Sequence, residues 1–201
     1  MKNKYVNRSK VSEAKFRDLV RYFSLDLTAT QIAQLTGLNR NTVNRYLAEI
    51  RIKIASYTER TAPLAFPHNP TRIPSRETDV VILVYCIEMK VMTSILSVIR
   101  GNNWKEMVVD IAENTTHLGL AIHTESGHLY EHTIGKTDDR ESEIREAKRF
   151  WNTVRSRLSK FKGIHTTTCL YHLKECEFRY NHSQEELYSL ILQILRKDPL
   201  F

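Results

Sequence analysis

Apolar residues recur at helical spacing over the first part of the chain. Phe16, Leu19, Val20 and Phe23 fall on one face of a helix, and Ser12 stands where its N-cap belongs. Ile32, Ala33 and Leu35 predict a short second helix, opened by Thr28 or Thr30. Leu38, Val43, Tyr46, Leu47 and Ile50 predict a third, capped by Asn39 and running to about Tyr57. Gly37 lies between the second and third helices, where a tight turn needs a positive φ. Small Ala33 allows the two helices to cross closely.

The residues left off this apolar stripe are Arg40, Asn41, Thr42, Asn44 and Arg45. Such side chains hydrogen-bond to phosphates and base edges. Together with Thr28, Gln31 and Asn39 they form the candidate DNA-contacting set of a three-helix helix-turn-helix unit spanning residues 1–60. A plain helical hairpin with a polar outer face is the competing reading. Charge favours DNA. Residues 1–60 hold 12 basic and 5 acidic residues, whereas 61–201 hold 18 of each, so the whole excess of +7 sits on this segment. A localised basic excess points to a polyanionic partner.

The pattern changes after residue 60. Pro63, Pro67, Pro70 and Pro74 forbid a regular helix, and residues 61–76 read as a linker. Asp79 to Cys86 is rich in β-branched residues, and a turn near Glu88–Lys90 returns the chain as a second strand over Val91–Leu96. Trp104, Met107, Val108 and Ile111 share a helical face, and "LGLAIHTESG" reads as a further strand. A long helix follows, capped by Asp138 or Asp139, lined by Ile144, Phe150, Trp151, Val154 and Leu158, and ended by Gly163. Two more helices come last: "TTTCLYHLKECEFRYN", and "SQEELYSLILQILRK", whose Ser183 and Glu186 have capping-box spacing. The expected class is α+β, with residues 77–201 as one domain.

An apolar fraction of 41% with 6 glycines and 5 prolines reads as globular, and no apolar run reaches membrane-spanning length. The opening "MKNKYVNRSK" lacks the apolar stretch of a signal peptide. Three cysteines, Cys86, Cys169 and Cys176, suit a reducing cytoplasm, in which a DNA-bound protein would be nucleoid-associated. His165, Cys169, His172 and Cys176 mimic a zinc set, but four ligands along one straight helix cannot surround a metal tetrahedrally, so these positions read as packing.

One family resemblance emerges. Phe150, Trp151, Arg157, Leu158, Lys160, Phe161, Gly163, Ile164 and the run "HLKECEFRYNH" from His172 to His182 resemble the end of small bacterial insertion-sequence transposases with an ISXO-type DDE domain. The helix-turn-helix stands where that family places its own. The resemblance covers about residues 144–201, more weakly 9–57, and little between. It implies an RNase H-like domain with a mixed sheet flanked by helices. It also implies three carboxylates holding two divalent metals that activate the nucleophile and stabilise the leaving oxygen. On the long helix it makes Arg149, Arg155, Arg157, Lys160 and Lys162 a second candidate DNA contact, with a solvated basic face as the alternative.

The carboxylate triad does not carry over. The family's glutamate lies three residues before the tryptophan, where this chain has Lys148, and an ammonium has no lone pair to offer a metal. The second aspartate position holds Glu125, and the first falls in the proline-rich span. The reading is therefore a transposase-derived DNA-binding protein without catalytic residues or cofactor, domesticated for a regulatory or recognition role. Its expected partners are double-stranded DNA and further copies of itself, a dimer being one form, with no membrane. One alternative is a working transposase that uses magnesium or manganese at a site rebuilt from Asp79, Asp110 and Glu125 with Glu143 or Glu146. Another is a protein–protein adaptor whose helix-turn-helix is vestigial.

Overall fold

The structure, a computed structural model, describes residues 3–61, 78–87, 90–99, 119–125, 128–134, 141–158 and 166–201. Among them lie helices α1 (Glu13–Ser24), α2 (Ala29–Thr36), α3 (Arg40–Thr61), α4 (Glu141–Leu158), α5 (Thr166–Asn181) and α6 (Gln184–Lys197). The strands are β1 (Thr78–Ile87), β2 (Lys90–Ile99), β3 (Gly119–Glu125) and β4 (His128–Ile134). The class is α+β. Thr61, expected to start the linker, ends α3; residues 62–76 of the predicted linker, the helix around Trp104–Ile111, the caps Asp138 and Asp139, and Gly163 lie outside the described residues.

Two compact units divide the chain, one made of residues 1–61 and 178–201, the other of 62–177. This differs from a single domain over 77–201, because the last residues pack with the first helices. Phe16, Leu19, Val20 and Phe23 of α1, Ile32 of α2, and Val43, Tyr46, Leu47, Ile50 and Ile54 of α3 share one core with Leu187, Ile191, Ile194 and Leu195 of α6. α6 is strongly amphipathic, and the three preceding helices offer it an apolar face. Val6 and Leu200 form a parallel bridge, closed by bonds from Asn7 N to Leu200 O and from Leu200 N to Tyr5 O, both 2.9 Å.

Local chemistry fixes the helix ends. Ser12 Oγ accepts from Lys15 N at 3.4 Å at the start of α1. At its other end Arg179 donates to Phe23 O (2.7 Å) and Ser24 O (3.0 Å), satisfying carbonyls that the last turn leaves open. Ser183 N donates to the Glu186 carboxylate at 3.1 Å, and hydrogen bonds from Ser183 hold that carboxyl below its ordinary range.

In the second unit the strands form one sheet in the order β2-β1-β3-β4. Every described pairing is antiparallel, so the described sheet is not the mixed one that the family resemblance implies. β1 pairs with β2 over its full length, Tyr85 opposite Met92, and with β3 over Val81 to Tyr85. Ile144, Ala147, Phe150, Trp151 and Val154 of α4 are buried, which places Phe150 and Trp151 in a core rather than on a base-stacking surface.

Candidate nucleic-acid interface

The junction of α2 and α3 is built by capping. Gly37 adopts φ +67°, a left-handed conformation that a Cβ would strain. Thr28, rather than Thr30, opens α2: Gln31 N donates to Thr28 Oγ1 at 3.3 Å, and Thr28 N donates to Gln31 Oε1 at 2.9 Å. The polar ends of Thr28 and Gln31 thus face each other in a capping box while both residues remain exposed. Asn39 Oδ1 accepts from Asn41 N at 2.8 Å and Asn39 O from Val43 N at 3.0 Å, so Asn39 caps α3.

Leu35 departs from the expected apolar stripe and is 57% exposed. Ile32 and Thr36 are the buried pair on α2, and the Thr36 hydroxyl donates to Ile32 O at 2.7 Å. The meridian through residues 29, 32, 33 and 36 faces the core, and Leu35 falls roughly a quarter-turn or more to one side of it.

Along the first turns of α3 the two faces separate cleanly. Arg40, Asn41, Asn44 and Arg45 are exposed, Thr42 is half-buried, and Val43, Tyr46 and Leu47 are buried. The Arg45 guanidinium carbon lies 4.7 Å from the Phe201 ring centre and 5.6 Å from that of Tyr46. Lys15 of α1 brings its Nζ within 3.9 Å of the place a Cβ on Gly37 would occupy, setting a further cation beside the turn. Neither Lys15 nor Phe201 stood out in the sequence, because their nearness to α3 is tertiary. Residues 178–201 add three basic and three acidic residues, so the first unit as folded carries the full excess of +7.

The second candidate DNA contact on α4 fares differently. Arg157 is held by Glu175 at 2.9 Å, with side chains 18% and 1% exposed, so its guanidinium belongs to a buried ion pair rather than to an open basic face. Arg149 is exposed and paired with Glu146 at 3.0 Å, and Arg155 donates to Asn152 Oδ1 at 3.2 Å. Lys160 and Lys162 lie outside the described residues.

At the family's metal positions, Lys148 is an exposed residue of α4. Glu125 ends β3 opposite His128, and Asp79 stands on β1 opposite Val98. Asp110 lies outside the described residues, and Glu143 is half-buried on α4. Among the described residues no three His, Cys, Asp or Glu side chains are grouped to hold a metal. Of the zinc-like set, His165 lies outside them, Cys176 is buried, and burial pushes the Cys169 thiol up, which disfavours the thiolate a metal requires.

Within the run from His172 to His182 that carries the resemblance, Lys174, Glu175 and Glu177 are buried polar residues. Glu177 Oε2 accepts from Lys174 Nζ (2.9 Å), Thr93 N (2.9 Å) and Thr93 Oγ1 (2.6 Å), and Lys174 also donates to Thr93 O at 2.6 Å. Burial first, and the nearby Glu177 charge second, push the Tyr85 hydroxyl well above the ordinary phenol value. Among the described residues no helix is long and apolar enough to cross a membrane. Compared with protein-family models, curated proteins and solved structures, the chain matches none.

Proposed function

We propose that the chain binds double-stranded DNA through α2, the Gly37 turn and α3 acting as a helix-turn-helix, with α3 as the recognition helix. The observation that carries this reading is the split of α3: Arg40, Asn41, Asn44 and Arg45 exposed on one side, Val43, Tyr46, Leu47 and Ile50 in the core on the other. The N-terminal part of a recognition helix is the part that enters the major groove. Arg40, Asn41, Asn44 and Arg45 are the side chains that address base edges, while Lys15, Thr28, Gln31, Asn39 and Thr42 position the helix on phosphates.

The second unit, in this reading, is a reduced remnant of a transposase's RNase H-like domain that has lost its chemistry and, among the described strands, departs from that domain's mixed sheet. Support comes from the resemblance over Phe150, Trp151 and His172–His182 and from the exposed lysine at the position of a metal-holding glutamate. It then serves self-association or a further DNA contact through Arg149 and Arg155. The protein acts as a DNA-bound regulatory or recognition factor in the cytoplasm.

The test is duplex binding by the full chain at increasing salt. Contacts to roughly 4–6 phosphates give a slope of log affinity against log salt of about −4 to −5. A flat curve rejects the proposal, as does undiminished binding by the variant Arg40→Ala/Asn41→Ala/Arg45→Ala.

A further inference from the structure

Ahead of α1, residues 8–10 read Arg-Ser-Lys. Ser9 Oγ shares a hydrogen bond with the Tyr46 hydroxyl of α3 at 3.1 Å, donates to Val11 O at 3.0 Å and accepts from Val11 N at 2.9 Å. Ser9 is thereby pinned to the N-terminal third of α3 through the buried Tyr46, the residue after Arg45. Its neighbours Arg8 and Lys10 are both exposed, and both border an open cleft of about 300 Å³ whose other walls come from Asn3, Val6, Val11 and Ser12. Lys4 pairs with Glu13 and Lys53 with Asp198, whereas neither Arg8 nor Lys10 is paired with a carboxylate among the described residues.

The backbone here is held in an uncommon shape. Arg8 has φ +49°, a left-handed conformation disfavoured for a side chain of this size. It is enforced from both sides, by the bond from Asn7 N to Leu200 O and by the Ser9 anchor. Strain of this kind persists where the surroundings over-determine it, and it concentrates at functional segments.

We infer that Arg8 and Lys10 form a second phosphate clamp of the DNA interface, seating the sugar–phosphate backbone in the cleft beside α3. The inference rests on the helix-turn-helix reading and extends it. α3 supplies base contacts, and the Ser9–Tyr46 bond fixes the spacing between those contacts and the flanking phosphates. Phosphate contacts carry no sequence information, so this clamp contributes affinity and register in equal measure for every sequence.

The full chain is titrated with a short mixed-sequence duplex over a range of salt, as wild type and as Arg8→Asn/Lys10→Gln. Asparagine tolerates the left-handed backbone, so the variant keeps the fold, which its melting curve verifies. Loss of two phosphate contacts makes the salt slope shallower by about 1.8. A wild-type slope retained by the folded variant overturns the clamp while leaving the helix-turn-helix intact. A wild type that shows no salt-dependent duplex binding overturns the DNA reading itself, and the clamp with it. An independent measurement uses wild type alone: amine labelling of Lys10 slows when the duplex is added, and unchanged labelling at saturating duplex contradicts the clamp.

Discussion

Arg45, on the exposed face of α3, lies with its guanidinium 4.7 Å over the ring of Phe201, a residue 156 positions away in sequence. A guanidinium held against an aromatic ring is attracted by the ring quadrupole and loses rotamer freedom. Arg45 is thus pre-oriented, and in the DNA-binding reading proposed above less entropy is lost on contact with a base edge. Phe201→Ala removes about 0.5–1 kcal/mol of this interaction. Specific DNA affinity should fall a few-fold in that variant, with the melting temperature nearly unchanged. Binding unaffected by the substitution would detach Phe201 from recognition.

The first unit depends on α6. Leu195 is fully buried among residues from α1 and α3. Leu195→Ala should destabilise the protein by about 2–5 kcal/mol in chemical denaturation. By the same logic a fragment ending at Thr61 exposes Phe16, Leu19, Ile50 and Ile54, and circular dichroism should find it unfolded or aggregated. A cooperatively melting 1–61 fragment contradicts this.

Lys174 and Glu177 are 6% and 4% exposed as side chains. Lys174→Met strands the Glu177 charge in the interior and should cost about 3–5 kcal/mol. Adding Glu177→Gln removes that stranded charge while keeping an acceptor for Thr93, so the double variant should recover part of the loss. Equal instability of single and double variants would argue against a charge penalty as the cause.

Purified protein should not nick DNA bearing its own binding site in magnesium or manganese. In the transposase-derived reading, Lys148 puts an ammonium where a metal-holding carboxylate would be needed. Lys148→Glu alone should not restore cutting, because the first-strand carboxylate position also lacks an acid. Metal-dependent nicking that Asp79→Asn or Glu125→Gln abolishes would reverse the assignment.

Helices with strong apolar periodicity and a cap were legible from sequence: Ser12 and Asn39 act at the helix starts where they were placed, and of the two threonines offered for α2 it is Thr28 that caps it. β1 and β2 were legible through their β-branched residues. β4, "HLYEHTI", was missed because its two histidines, one glutamate and one threonine blur the alternation expected of a strand. Leu35 misled, since apolar character does not say which of two nearby helical positions the core will take. Arg157 misled in the opposite way, for a cation on a basic helix reads as surface until the partner Glu175 is placed beside it. The polar face of α3 could be read from local spacing, but Lys15, Phe201 and the Ser9–Tyr46 bond join residues that only tertiary folding brings together.

The sharing of one core by α1–α3 and α6 has a consequence for the order of events during synthesis. The ribosome makes α3 early, yet the partners that cover its apolar side, Leu187 through Leu200, emerge more than a hundred residues later. Until then the basic unit is an unsealed helical segment with exposed apolar residues, open to chaperones and proteases. A product of premature termination lacks that seal. In the DNA-binding reading proposed above, competence to hold DNA then waits on the synthesis of the residues from Leu187 to Leu200, and a chain broken before them is poorly equipped to bind.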